Sequence, residues 1–126
     1  MTMGRLPRDA SFYNLDVANV LSLGNYGTVT QATSISTGVT LNTKRGAITT
    51  VDPALAAAAE AEFIVTDSEC HSGNVVLVAV ASGPSDNEHV ICAITAVAEG
   101  SFSILLTNLA AANQADGAMV INFAIL

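Results

Sequence analysis

The sequence predicts an all-β protein, an eight-stranded antiparallel, jelly-roll-like β-sandwich preceded by an extended N-terminal arm. Short runs rich in β-branched and apolar residues recur about every ten residues from residue 27 to residue 126. Turn residues separate these runs, and the last run, residues 118–126, is apolar almost throughout. Eight such runs arranged as two packed sheets describe a jelly roll.

The chain has the length of one domain with a core of its own. Of its 126 residues 51% are hydrophobic and only 12% are charged. So apolar a composition predicts that part of the surface meets another protein. We expect an arm over residues 1–26, where apolar residues do not alternate evenly, and a β-sandwich body over residues 27–126.

The first strands of the body are expected at residues 28–32 and 39–42, joined as a hairpin through a turn at residues 34–38. A third strand, residues 45–51, should end before Pro53, because proline cannot donate to a central ladder and pushes the preceding residue into extended geometry.

Residues 54–62 are the one stretch whose local propensity disagrees with an all-β fold. Alanine dominates this stretch and is the best helix former, so a helix of one or two turns is an alternative. The apolar alternation through Ala59, Ala61, Phe63 and Val65 has a period of two. We therefore favour a loop or short turn that feeds a fourth strand.

Residues 74–80 are apolar on both faces, which predicts a strand buried between two layers or lying at a subunit contact. This strand is the best candidate for the core. The remaining elements are, in order, a turn at residues 82–87, a strand at 88–97, a turn at 99–100, a strand at 101–107, a polar loop at 108–117 and a last strand at 118–126. In the strand at 101–107, Phe102, Ile104 and Leu106 should share one face.

Charge is distributed unevenly along the chain, whose net charge is −7. All four basic residues lie in the first 45 positions, and they are Arg5, Arg8, Lys44 and Arg45. Since Asp9 and Asp16 are the only acids there, the other 11 − 2 = 9 acids follow residue 45. Such a body should not bind nucleic acid, because it has no basic patch to release counterions from phosphates. The asymmetry reflects either charge that only keeps the protein soluble or a basic-tipped arm that docks on an acidic partner.

Catalytic and metal-binding patterns are not apparent. A zinc set of Cys70, His71, His89 and Cys92 is disfavoured, because neighbours along a strand point to opposite faces, and buried thiols are favoured over a disulfide. His71 is better explained by a hydrogen bond or a partner contact.

Ser72 beside His71 lacks a third, orienting group, so we expect no enzyme and no cofactor. Residues 86–88 do not match a calcium loop, so a solvated turn is favoured over weak ion binding there.

The first residues carry charge but lack the apolar core of a signal peptide, and no run is long enough to span a membrane. We therefore expect a protein that is made in the cytoplasm and neither secreted nor inserted in a membrane.

Residues 27–42, GTVTQATSISTGVTLN, resemble a recurrent opening of small structural proteins of tailed bacteriophages and prophages. In that family the run precedes a Gly-x-Ile-Thr strand, which is present here as residues 46–49. The likeness covers about 100 residues, which is the whole body, and it continues through residues 54–57, 63–68, 75–78, 94–103, 107–109 and 120–124. The arm lies outside the resemblance, and Arg45 departs from the neutral residues expected there.

The resemblance implies a β-sandwich component of the virion. The leading hypothesis is a trimeric capsid cement or decoration protein on the capsid surface, made in the host cytoplasm, which binds the major capsid protein and stabilises the head. The arm would anchor it, and the partner-binding residues that we predict are Arg5, Arg8, Phe12, Tyr13, Lys44 and Arg45.

The alternative is a trimeric tail fibre, spike or receptor-binding module of a phage. Sugar sites favour exposed aromatic residues, whereas the chain has no Trp and its two tyrosines, Tyr13 and Tyr26, lie in the arm. An enzyme of the esterase or lyase kind is a third class, for which no site is found.

Overall fold

A computed structural model describes residues 24–52, 55–84 and 89–126. Its described part is all-β and contains no helix. The strands are β1 (Tyr26–Thr30), β2 (Val39–Thr40), β3 (Arg45–Thr49), β4 (Glu60–Thr66), β5 (Val76–Ser82), β6 (Val90–Ala98), β7 (Ser101–Asn108) and β8 (Val120–Ile125). The all-β prediction is thus confirmed for this part of the chain.

The strands form two sheets of four that enclose one core. Sheet A has the order β1-β3-β8-β5, and sheet B has the order β2-β4-β7-β6. Every second residue of the inner strands β7 and β8 points between the sheets, and Phe102, Ile104, Ile121 and Phe123 are almost completely buried there. The predicted shared face of Phe102, Ile104 and Leu106 is therefore confirmed, and it faces the core.

The prediction of purely antiparallel sheets is wrong, because both sheets are mixed. Strand β1 runs parallel to β3, and the short β2 runs parallel to β4. The other pairs are antiparallel. Gly46 allows the close approach of β1, since a Cβ atom there would lie 2.6 Å from the carbonyl oxygen of Gly27.

The hairpin expected between residues 28 and 42 is also wrong, because the chain crosses from sheet A to sheet B between β1 and β2. Gln31 is buried and holds this crossing. Its side-chain amide donates to the carbonyl oxygens of Ile35 and Thr37 at 3.0 and 2.9 Å, and its backbone N–H donates to Thr49 at 2.9 Å. These bonds, of which that to Thr49 is long-range, take the place of the ladder that a hairpin would have formed.

The alanine-rich segment is not helical over its described residues, and the prediction of a turn feeding the fourth strand is confirmed from residue 55 onward. Ala57 and Ala58 form a turn in which Ala58 has a positive φ of 57°. Leu55 forms a β-bridge with Ala115. Asn108 holds the loop in place through hydrogen bonds of its side chain. The buried amide of Asn108 donates to the carbonyl oxygens of Leu55, Ala56 and Asn113.

The prediction that residues 74–80 form the best core strand is wrong, because β5 lies at the edge of its sheet. Strand β5 is the edge strand of sheet A, next to β8 alone among the described strands. Val76 is buried, Val78 and Val80 are half-buried, and Leu77 and Ala79 are exposed. The second possibility, that a strand apolar on both faces lies at a subunit contact, stays a prediction.

One end of the sandwich, called the arm end, collects the start of β1, the start of β3 and the C-terminus. The backbone N–H of Arg45 donates to Asn25 at 3.2 Å, and that of Ile125 donates to Lys44 at 2.7 Å. Val75 and Leu126 exchange two backbone hydrogen bonds beside them. The loop at residues 109–118 lies at the opposite end, since it leads into Val120, which pairs with the last residue of β3, Thr49.

Candidate docking surface

His71 lies at the arm end and is engaged by a carboxylate. Its Nδ1 atom is 2.6 Å from Oε1 of Glu99, and the other oxygen of Glu99 accepts the backbone N–H of Ser72 at 3.3 Å. The hydrogen bond from His71 and that from Ser72 lower the pKa of Glu99. Both side chains are exposed, so the pair ties the loop after residue 70 to the turn after β6 at the surface.

Cys70 and Asp67 are buried and hold the same turn together. The backbone N–H of Asp67 donates to Gly100, whose own N–H donates to Cys70, and the Cys70 thiol donates to the carbonyl oxygens of Ala98 and Ser101. Asp67 accepts the N–H of Glu69 at 2.9 Å through Oδ1, whereas its buried Oδ2 has no hydrogen-bond partner. Burial raises the pKa of Asp67 and that of the Cys70 thiol.

These contacts involve Cys70 and His71, two of the four residues that a zinc set would have needed. Cys70 and Cys92 are both free thiols, the first buried and the second half-buried. Within the described ranges, no three His, Cys, Asp or Glu side chains lie close enough to hold a metal ion. The acids at residues 86–88 lie outside these ranges. No helix of the described residues has the length and apolarity to cross a membrane.

Lys44 and Arg45, two of the predicted partner-binding residues, lie side by side at the arm end. The guanidinium of Arg45 is exposed, lies 5.7 Å from the ring centre of Tyr26 and donates to the carbonyl oxygen of Gly24 at 3.5 Å. Lys44 approaches Glu69 at 4.0 Å while remaining partly exposed. Both basic side chains therefore flank the point at which the chain enters the body.

The other predicted contacts, Arg5, Arg8, Phe12 and Tyr13, lie outside the described residues. They precede Gly24, which lies directly against Lys44, because a Cβ atom on Gly24 would be 2.6 Å from the Lys44 side chain. The structure thus places Lys44 and Arg45 at the root of the segment that carries the two other basic residues of the chain.

A second surface, which the sequence analysis did not single out, is the outer face of sheet A at β5 and β8. Its exposed large side chains are Val75 at 58%, Leu77 at 53% and Leu126 at 56%. Leu77, Ala79, Asn122 and Ala124 line a shallow open depression of about 210 Å³ beside them. The one sequence signal for this surface was that residues 74–80 are apolar on both faces; the part played by Leu126 follows only from its pairing with Val75.

The two outer faces of the sandwich differ in charge. Among described residues, the outer face of sheet A carries Arg45 but no Asp or Glu, as the paired positions of β1, β3, β8 and β5 show. The outer face of sheet B carries Glu60 and Glu62, and Glu62 accepts a hydrogen bond from Thr95 at 3.0 Å. In a chain of net charge −7, the first face is the one on which an acidic partner meets no like charge.

Comparisons of the chain with protein-family models, curated proteins and solved structures found no match.

Proposed function

We propose that this protein is a bacteriophage virion structural protein, a trimeric capsid cement or decoration protein of jelly-roll-like fold that binds the major capsid protein and stabilises the head. The observation that carries the proposal is the position of Lys44 and Arg45. They flank the entry of the chain into the body, and they are the only Lys or Arg residues in the sequence from residue 27 to residue 126. The resemblance of residues 27–126 to small phage structural proteins supplies the class of partner.

The mechanism requires adhesion without catalysis. The N-terminal arm, residues 1–26, would lie on the major capsid protein, with Arg5, Arg8, Phe12 and Tyr13 as contacts. Lys44 and Arg45 would bind acidic groups of the same partner at the arm end. Contacts that cross the boundary between capsomers resist the outward pressure of packaged DNA, because separating the capsomers then requires breaking them as well.

Charge steering fits this arrangement. A patch of basic side chains raises the rate of encounter with an acidic surface, and truncating charges at the rim of an interface mainly changes the association rate and its salt dependence. Lys44 and Arg45 are the only Lys or Arg residues of the body, so we expect an acidic surface to attract the protein at these two side chains. The virion surface is accordingly the proposed location, after synthesis in the host cytoplasm.

The test is co-sedimentation of the full-length protein with expanded phage heads that lack it. We expect the double variant Lys44→Ala with Arg45→Ala to bind at least about 10-fold more weakly than the wild type, with a smaller salt dependence. The matched control is Ala111→Glu with Ala112→Glu, which changes the net charge by the same −2 on exposed residues at the far end of the sandwich. Equal binding by wild type and both variants would overturn the role of the arm end.

Binding of few copies per head, or of none, would favour the tail fibre or spike alternative. Host-surface glycans would then be the ligands to test. Because the two classes differ in copy number by orders of magnitude, the same sedimentation experiment separates them.

A further inference from the structure

Two adjoining surfaces of the sandwich meet along β5, and together they are called the β5 wedge. The first is the outer face around Val75, Leu77 and Leu126. The second is the flank on which the edge strand of sheet A, β5, lies beside the edge strand of sheet B, β6. Neither strand contains a charged residue.

The flank leaves the margin of the core incompletely covered. Five apolar side chains of the flank point inward and pack on the core but are only half-buried, and they are Val78 and Val80 of β5 and Cys92, Ile94 and Val97 of β6. Strands β5 and β6 each pair on one side only within the described residues, so their outer backbone groups are unpaired. Long, uncharged edge strands without proline or lysine are sites at which another protein chain binds or aggregation starts.

The charge of the chain argues that a second copy covers these surfaces. A molecule of net charge −7 repels its own copies wherever carboxylates face each other, as they would across Glu60 and Glu62 on the outer face of sheet B. Among its described residues, the β5 wedge presents no Asp or Glu side chain. Two copies can therefore approach here without burying an unpaired Asp or Glu side chain, which would cost several kcal/mol.

Whether copies form a filament or a closed ring depends on which two surfaces of the sandwich meet. Contact between opposite faces of the sandwich would stack copies into an open filament, whereas contact between adjoining surfaces turns each copy relative to the last. We propose that the outer face of one copy packs on the flank of the next, so that the β5 strands surround the axis of a closed ring. The number of copies, three, rests on the proposed function; the surface does not.

In this ring the arm ends of all copies would point the same way along the axis. Strands β3, β5 and β8 run along one another, so an axis beside β5 leaves the arm end of every copy on the same side of the ring. Lys44 and Arg45 of all copies then face one partner surface. The uncharged strands β5 and β6 then meet other copies, and Lys44 and Arg45 meet the capsid.

Sedimentation equilibrium of the full-length protein tests the proposal with a matched pair of variants. Leu77→Asp introduces a charge on the β5 wedge, and Ile64→Asp introduces the same charge on the other face at the same exposure of 53%. We expect one closed oligomer for the wild type and for Ile64→Asp, and at least about 100-fold weaker association for Leu77→Asp. A monomeric wild type, or an unchanged mass for Leu77→Asp, would overturn the proposal.

The Cys92 thiol reports independently on the flank. Since Cys70 is completely buried, maleimide labelling of the folded protein reads Cys92. Labelling should be slow in the wild type and in Ile64→Asp and at least about 10-fold faster in folded Leu77→Asp, with circular dichroism verifying the fold. Equal rates in an oligomeric wild type and in monomeric Leu77→Asp would overturn the role of the flank.

Head binding is measured separately, so the two proposals fail separately. An oligomer that depends on Leu77 but does not bind heads overturns the capsid proposal and retains the β5 wedge. A wild type that binds heads but stays monomeric in solution, or a Leu77→Asp variant that keeps its oligomer and loses head binding, overturns the β5 wedge as a contact between copies.

Discussion

Phe102 and Phe123 meet across the sandwich with their ring centroids 5.2 Å apart and their planes tilted by 55°. Phe102 belongs to β7 and Phe123 to β8, the inner strands next to the exposed edges β6 and β5. Tilted aromatic pairs at this separation are favourable beyond the area that they bury. The pair therefore joins the two sheets at the centre of the core.

The first prediction concerns this contact. Phe102→Ala should lower the free energy of unfolding by about 3–5 kcal/mol, because it removes buried contacts and leaves a cavity between the sheets. Urea denaturation followed by circular dichroism measures the change. Ile64→Ala, at a 53% exposed position, is the control and should cost less than about 1 kcal/mol. Similar losses in the two variants would contradict the assignment of the core.

The parallel pairing of β1 and β3 leads to a second prediction. Gly46→Ala should destabilise the fold by about 1–3 kcal/mol, since its Cβ atom would meet the Gly27 carbonyl oxygen at 2.6 Å and a Leu41 methyl group at 2.8 Å. Gly73→Ala is the matched control, because no atom lies within 4 Å of the Cβ position there. If thermal unfolding finds Gly46→Ala as stable as Gly73→Ala, β1 does not pack against β3 as described.

The exposed His71–Glu99 pair gives a third prediction. His71→Ala should raise the pKa of Glu99 toward the ordinary range for glutamate, because the hydrogen bond from His71 is the main cause of its lowering. Carbon NMR titration of the Glu99 carboxyl group measures the change. His89→Ala at the opposite end should leave this pKa where it is, and an unchanged pKa in His71→Ala would show that the hydrogen bond does not form in solution.

Asp67 gives a fourth prediction, with the sign set by burial. Burial raises the pKa of Asp67, so the folded protein keeps this proton to a higher pH than the unfolded chain does. The contribution of Asp67 to stability therefore falls as pH rises through the interval between the two pKa values. Asn does not titrate, so the stability of Asp67→Asn relative to wild type should increase from about pH 4 to about pH 7. A relative stability that falls over this range, in urea denaturation at several pH values, would contradict a raised pKa.

The local sequence pattern was sufficient to predict which side chains are buried where burial alternates along one strand. Phe102, Ile104 and Leu106 were placed on one face by their spacing, and all are buried. The same pattern ranked β4 above a helix in the alanine-rich segment, because two-residue alternation leads into Phe63 and Val65. In these places the period of the sequence and the period of the strand agree.

Strand partners and edges depended on contacts that local pattern does not contain. The prediction of a hairpin after β1 was wrong. The backbone N–H of Gln31 donates to Thr49, eighteen positions away, and its side chain donates to the carbonyl oxygen of Ile35 in the loop that follows β1. Residues 74–80 are apolar on both faces, a property shared by a central strand and by a strand at a subunit contact, so their edge position was missed. Charge along the sequence identified Lys44 and Arg45, whereas their position beside Gly24 required the fold.

The number of copies that bind per phage head tests the central claim most directly. Purified full-length protein is mixed at increasing concentration with expanded heads that lack it, and the bound copies are counted after sedimentation. A capsid cement protein should saturate at hundreds of copies per head, in a multiple set by the symmetry of the shell. Saturation at a few copies, or no binding, would contradict the account.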